Sequence, residues 1–284
     1  MVVLSILGGC ALVLGLWLAW WNVRRVRTAQ LAAAIARAVQ EQVLEAIDRA
    51  GMEEGTRVLL LRVVDGPPRD PYSKLGGEPL LPPGVATDAG PPDDVGKLLV
   101  QVRLHSPPLP EVWLNRVLLL FRDQLRSVVA RCTVPADSVA DANSAASSAK
   151  QRGLEVLRLP PGDTVGEEDA YVSSPYAPGS LCRRVPALRD LLAPYADTPE
   201  RVLPHVLVPG IHTHEIDTFL VCLMGGEPEL IQDEHGASCP RCARPMRFLL
   251  HFGDVLKLPG DAPVLYVYGC DEHPAEVRSY VDIH

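Results

Sequence analysis

Four residues near the C-terminal end of the chain have the types and spacing of a metal site. Cys239 and Cys242 form a Cys-x-x-Cys pair, and Cys270 and His273 form a Cys-x-x-His pair. Three thiolates and one imidazole suit a tetrahedral zinc ion. With all four positions filled by protein, no place is left for water, so the expected zinc is structural and no residue is assigned a catalytic role. The elements that must bring these ligands together are two short apolar runs. Cys242 stands just before Met246–Phe252, and Cys270 just after Pro263–Gly269. If the runs pair as antiparallel strands, the start of one lies beside the end of the other. The four ligands then face one another across the base of a hairpin.

A second cluster is His212-Thr213-His214-Glu215-Ile216-Asp217. On a strand His212 and His214 would share a face and could hold a metal, but the spacing matches no metal or catalytic motif. A loop after Pro209-Gly210 is the expected setting. His235 and His251 read as ordinary polar or half-buried side chains. The chain has no serine nucleophile elbow, no phosphate-cradling glycine loop and no HExxH.

Composition narrows the partners. The chain has 284 residues, a formal net charge of −8 and only four lysines, Lys74, Lys97, Lys150 and Lys257. An acidic balance of that kind argues against a nucleic-acid partner held by phosphate neutralisation. The seven cysteines follow no closely spaced framework of the kind small secreted domains use. Free thiols plus one metal site account for them.

Residues 1–21 carry no charged side chain, end in Trp17, Trp20 and Trp21, and are followed by Arg24, Arg25 and Arg27. About 20 apolar residues suffice to cross a bilayer. The expectation is a single-pass transmembrane helix in the cell membrane. The basic flank then puts the domain in the cytoplasm and the N-terminus outside. Residues 22–52 read as a juxtamembrane helix. Leu31, Ile35, Val39, Val43 and Ile47 make a stripe along it, suited to a spacer, a self-association seam or docking on the domain, and Gly51 is the expected stop.

Residues 53–284 form the expected domain. Thr56–Val64 is almost continuously apolar, as in a strand covered on both faces. Lys97–Leu104 alternates cleanly, and Arg116–Arg122, Ser127–Val134 and Leu154–Leu159 follow as strands. Val185–Tyr195 is expected as a short helix, Arg201–Val208 as a strand broken near Pro204, and Glu276–Ile283 as an edge strand. Asp65–Pro92 and Asp137–Lys150 read as loops.

An internal repeat runs through this domain. Leu75-Gly76-Gly77-Glu78-Pro79-Leu80-Leu81 is matched by Met224-Gly225-Gly226-Glu227-Pro228-Glu229-Leu230. Each is followed by an apolar strand, KLLVQV or RFLLHF. Paired glycines permit positive φ and the proline forces extended geometry before it, so each copy is a turn feeding a strand. The expected fold class is α+β, mainly antiparallel β in two duplicated halves of about 53–136 and 151–284.

The segment from Ser73 to Pro79 with Pro82, followed by Leu98–Val102, resembles the first signature of YwqG-like proteins. Gly225-Gly226-Glu227-Pro228 through Ile231-Gln232, followed by Phe248-Leu249-Leu250, resembles the second. The likeness covers roughly residues 56–284 and implies a largely β, duplicated domain of a family without an assigned function. His251 stands where that family often has glutamine, and the usual tryptophan after the first signature is missing. The functional expectation is a membrane-anchored binding or scaffolding module, more binder than enzyme, with an unidentified protein partner. The alternatives are a hydrolase-like enzyme with a cleft between the halves, using His212 and His214, and a toxin-neutralising partner protein.

Overall fold

The computed structural model describes residues 2–53, 58–65, 70, 72–77, 79, 95–123, 128–132, 152–159, 178–194, 202–207, 222–226, 228, 237–253 and 263–282. The chain opens with one long helix, α1 (Val2–Glu53). Ten strands follow among the described residues: β1 (Val58–Asp65), β2 (Lys74–Leu75), β3 (Val95–Arg103), β4 (Val117–Asp123), β5 (Val128–Cys132), β6 (Arg152–Leu159), β7 (Leu223–Met224), β8 (Arg247–Phe252), β9 (Val264–Gly269) and β10 (Val277–Asp282). Three short helices lie between β6 and β7: α2 (Pro178–Arg184), α3 (Pro186–Leu192) and α4 (Leu203–Leu207).

All ten strands belong to one antiparallel sheet in the order β10-β9-β8-β7-β1-β6-β2-β3-β4-β5. The sheet curls until its edges approach, and Ser279 Oγ on β10 donates to the Val128 carbonyl on β5 at 2.5 Å. It is nearly a barrel. Leu59, Leu61, Val100, Val102, Leu118 and Leu120 point into it. On the opposite face, Val58, Leu60, Leu157 and Leu159 meet Val39, Val43 and Ile47 of α1 together with α2, α3 and α4. Strand β1 is therefore apolar on both sides because both sides are covered.

This arrangement corrects the expected fold class. The chain is not an α+β domain of two halves set side by side. Strand β1 pairs with β6 and with β7, while β6 pairs with β1 and with β2. Each segment's long first strand thus lies against the other segment's short strand. A cut between residues 136 and 151 would strip both segments of a central neighbour. The expected N-terminal transmembrane helix is corrected as well, while the juxtamembrane helix continues from it as expected of a spacer. Residues 2–53 form a single helix, and among the described residues no helix is long and apolar enough to cross a membrane. The side chains of residues 1–16 lie outside the described residues. From Ala32 onward α1 turns an apolar stripe to the domain, whereas Trp17, Trp20, Trp21, Val23 and Val26 are exposed.

Two local expectations also change. Gly51 does not stop α1, which runs on to Glu53. It is where the helix crosses β6: a Cβ there would sit 2.8 Å from the Arg158 carbonyl carbon, so only glycine allows the approach. Arg201–Val208 is not a strand, since α4 fills most of it. Val202, Leu203, Val206 and Leu207 are all buried, at helical rather than alternating spacing. Pro204 sits in the first turn, where its missing N–H is no loss. The α1 stripe docks on the domain through Ala32, Ala36, Val39, Val43 and Ile47, whereas Leu31 is left 61% exposed.

Candidate metal centre

Strands β8 and β9 pair antiparallel with Arg247 opposite Gly269. The residues just outside that pair, Cys242 and Cys270, are therefore brought to one hairpin base. Local backbone bonds shape both ligand loops. Before β8, Ala243 N–H donates to Cys239 O at 2.8 Å and Cys239 N–H to Arg244 O at 2.9 Å. Ala243 takes φ +56° to close this turn. After β9, His273 N–H donates to Cys270 O at 3.1 Å and Glu276 N–H to His273 O at 2.7 Å.

The outcome is a compact four-ligand cluster. One ligand atom from each of Cys239, Cys242, Cys270 and His273 lies within 4.8 Å of all the others. Cys242 Sγ and Cys270 Sγ are 3.7 Å apart, far beyond the roughly 2.05 Å of a disulfide. His273 Nδ1 is 3.8 Å from Cys239 Sγ and 3.7 Å from Cys270 Sγ. Cys239 and Cys270 are buried, while Cys242 and His273 are half-buried. None of the six cysteines with described side chains is in a disulfide. The group could hold a metal ion.

Electrostatics favour a ligating thiolate. Burial opposes ionisation of Cys239, but the amides of Arg241 and Cys242 and the thiols of Cys270 and Cys242 outweigh it and bring its pKa down to about 6. Cys242 moves the other way. The Arg244 amide favours its thiolate, yet burial and the neighbouring sulfurs of Cys239 and Cys270 push it up. The two thiols titrate against each other, so charge on one sulfur disfavours charge on the next. By contrast, Cys132 and Cys222 lie apart from the cluster, and burial pushes each up to about 12.

The cluster rests on a small apolar layer that includes Ala237, Met246, Phe248, Tyr266 and Tyr268. It is tied to the barrel through Asp271, which lies inside the Cys-x-x-His loop. Asp271 Oδ1 accepts from the Trp113 indole at 2.7 Å, and its carboxylate takes Arg247 Nε at 2.9 and 3.2 Å. Burial works against the Asp271 charge, but Arg247 and Trp113 outweigh it and hold the carboxyl below its usual range. Trp113 itself is fully buried, and its ring packs so closely on Gly269 that no side chain fits there.

The sequence brings forward the four ligands but not Trp113, Asp271 or Arg247. The available signals were an acid inside the ligand loop and a lone tryptophan in a proline-rich stretch. His212, His214, Glu215, Asp217 and His235 lie outside the described residues. His251 is buried at 2% exposure, with its ring 6.0 Å from that of Tyr266. No protein-family model matches the chain, and no curated protein matches it significantly.

Proposed function

We propose that Cys239, Cys242, Cys270 and His273 bind a structural zinc ion, and that the protein is a zinc-braced binding module without catalytic chemistry at that centre. The observation that carries this reading is the spacing of the ligand atoms. Zn–S bonds of about 2.3 Å and a Zn–N bond of about 2.0–2.1 Å give tetrahedral edges of about 3.5–3.8 Å. Three of the six edges are 3.7–3.8 Å. Sulfur-rich donors favour zinc over calcium or magnesium, which take oxygen ligands. Four protein ligands leave no open coordination position, which supports a brace over a reaction centre. Kinship with YwqG-like proteins is part of the same proposal and rests on the two Gly-Gly-Glu-Pro signatures with their following strands.

The test is elemental analysis of the full-length protein purified from zinc-replete cells. The expected result is one zinc per chain, lost on treatment with a strong chelator at neutral pH. Protein that carries no zinc and takes up none on dialysis would reject the reading.

A further inference from the structure

The stretch of α1 ahead of the domain is exposed and unlike the rest of the chain. Trp17, Trp20, Trp21, Val23 and Val26 are each 49–55% exposed. Residues 20–24 are exposed without a break. At 3.6 residues per turn these positions go right round the helix, so the domain covers no side of this turn. Among the described residues the first buried side chain of α1 is Ala32, about 16 Å along the axis from Trp21.

Its aromatic and cationic groups are set together. Trp17, Trp20, Trp21 and Arg24 fall at helical spacings that share one face. The Trp17 and Trp21 rings stack at 5.8 Å, and the Arg24 guanidinium lies over the Trp20 ring at 5.3 Å. Arg24, Arg25 and Arg27 place three positive charges within four residues, and the first acidic residue of the chain is Glu41. No carboxylate is near enough along the helix to pair with them. The whole chain nevertheless carries −8, so this is a cationic, tryptophan-rich end on an acidic protein. Tryptophan favours the headgroup level of a bilayer, where its ring is apolar and its N–H stays wet. Arginine reaches lipid phosphates while its stem lies along apolar surface. A nucleic acid would match the charge but not the exposed Val23 and Val26; an anionic bilayer matches both. The acidic domain does not oppose this, because its distance along the helix is about twice the Debye length of about 8 Å at physiological salt.

We propose that residues 17–27 dock on the headgroup layer of an anionic lipid bilayer, with Trp17, Trp20 and Trp21 in the interface and Arg24, Arg25 and Arg27 on lipid phosphates. The docking is interfacial and requires no helix that crosses the membrane. It is independent of the metal reading and uses none of its residues.

The test mixes the full-length protein with vesicles of equal parts phosphatidylcholine and phosphatidylglycerol, or of phosphatidylcholine alone. Binding is read by co-sedimentation and by tryptophan emission, to which the fully buried Trp113 adds a constant background. The protein is expected to sediment with the anionic vesicles, to shift its emission to the blue, and to be released as salt is raised. Arg24→Gln with Arg27→Gln should weaken binding by about thirty-fold, at about 1 kcal/mol per arginine near an anionic surface. Trp20→Ala with Trp21→Ala should weaken it and remove most of the blue shift. Neither pair packs on the domain, so the melting temperature should stay near the parent's. The proposal fails if neither vesicle binds, if neutral vesicles bind equally well, if salt does not weaken binding, or if either double variant binds like the parent. It also fails if the blue shift appears without vesicles and grows with protein concentration, which would assign this face to a second copy of the chain.

Discussion

In the first arm of the sheet, β2 to β5, Gly76 N–H donates to Leu99 O at 2.9 Å, and the β3–β4 register shifts between Leu98 and Val100. In the second arm, β7 to β10, Gly225 N–H donates to Leu249 O at 2.8 Å, and the β8–β9 register shifts between Phe248 and Leu250. Lys74 faces Gln101 in one, Leu223 faces His251 in the other. All four glycines of the paired turns have positive φ. Beyond this shared start the arms diverge. The first sends the connection between β3 and β4 through a short 3-10 turn, Glu111–Trp113, that drives Trp113 into the core. The second ends in the Cys₃His cluster. The two devices meet where Trp113 bonds Asp271. The difference teaches that the turn-plus-bulge element builds each arm's start, while the far ends are built by unlike means that touch through Trp113 and Asp271.

The hardest way to break this contrast is to remove a ligand. If the proposed ion is bound, Cys242→Ser should destabilise the protein by about 5 kcal/mol or more, because the other ligands would lose it while the buried thiols remain. Denaturant unfolding in zinc-containing buffer checks it. A midpoint equal to the parent's would show that the second arm needs no brace.

Next comes the first arm's plug. Trp113→Ala should cost about 3–5 kcal/mol from the lost ring alone. If the arms are coupled through Asp271, the variant should also release zinc to a chelator faster. Unchanged release with the expected loss of stability would uncouple the two devices.

The glycines sharpen the comparison further. Gly76→Ala forces a side chain into the left-handed region at φ +65°, but the space is open, with the nearest atom 3.9 Å away. It should cost about 1–2 kcal/mol. Gly226→Ala meets the same strain at φ +75° and also brings a Cβ within 2.7 Å of Val58 Cγ2, so its cost in thermal unfolding should be the larger. Equal losses would mean that the packing around the second turn yields freely.

The smallest effect concerns Asp271. Its pKa is depressed, so its contribution is present above the unfolded value of about 3.9 and is lost as pH falls through the folded value. Asp271→Asn should lower the melting temperature by a constant amount from neutral pH to about pH 5, with the gap to the parent closing below about pH 4. A gap that persists in acid would remove the charge from the link between the arms.

The metal cluster was legible because its determinants are local. Each ligand pair lies within one short loop, and each loop borders a short apolar run that pairs as a strand. Most strands were legible for the same reason. Arg201–Val208 misled because Pro204 reads as a breaker, whereas the first turn of a helix tolerates it. Gly51 misled because a glycine that admits another backbone looks the same in sequence as one that ends a helix.

By itself the sequence determined the twin-glycine turns, the apolar runs that become β1, β3, β8 and β9, and the four candidate ligands. Each depends on residues a few positions apart, where backbone sterics and side-chain alternation decide. Only the tertiary structure decided that β1 and β6 exchange neighbours in one nearly closed sheet. It alone set Trp113 against Asp271 across 158 positions, and Arg62 against the Val206 and Leu207 carbonyls across 144 and 145. Such contacts depend on which surfaces are left to cover once the strands have paired, and no local pattern carries that information.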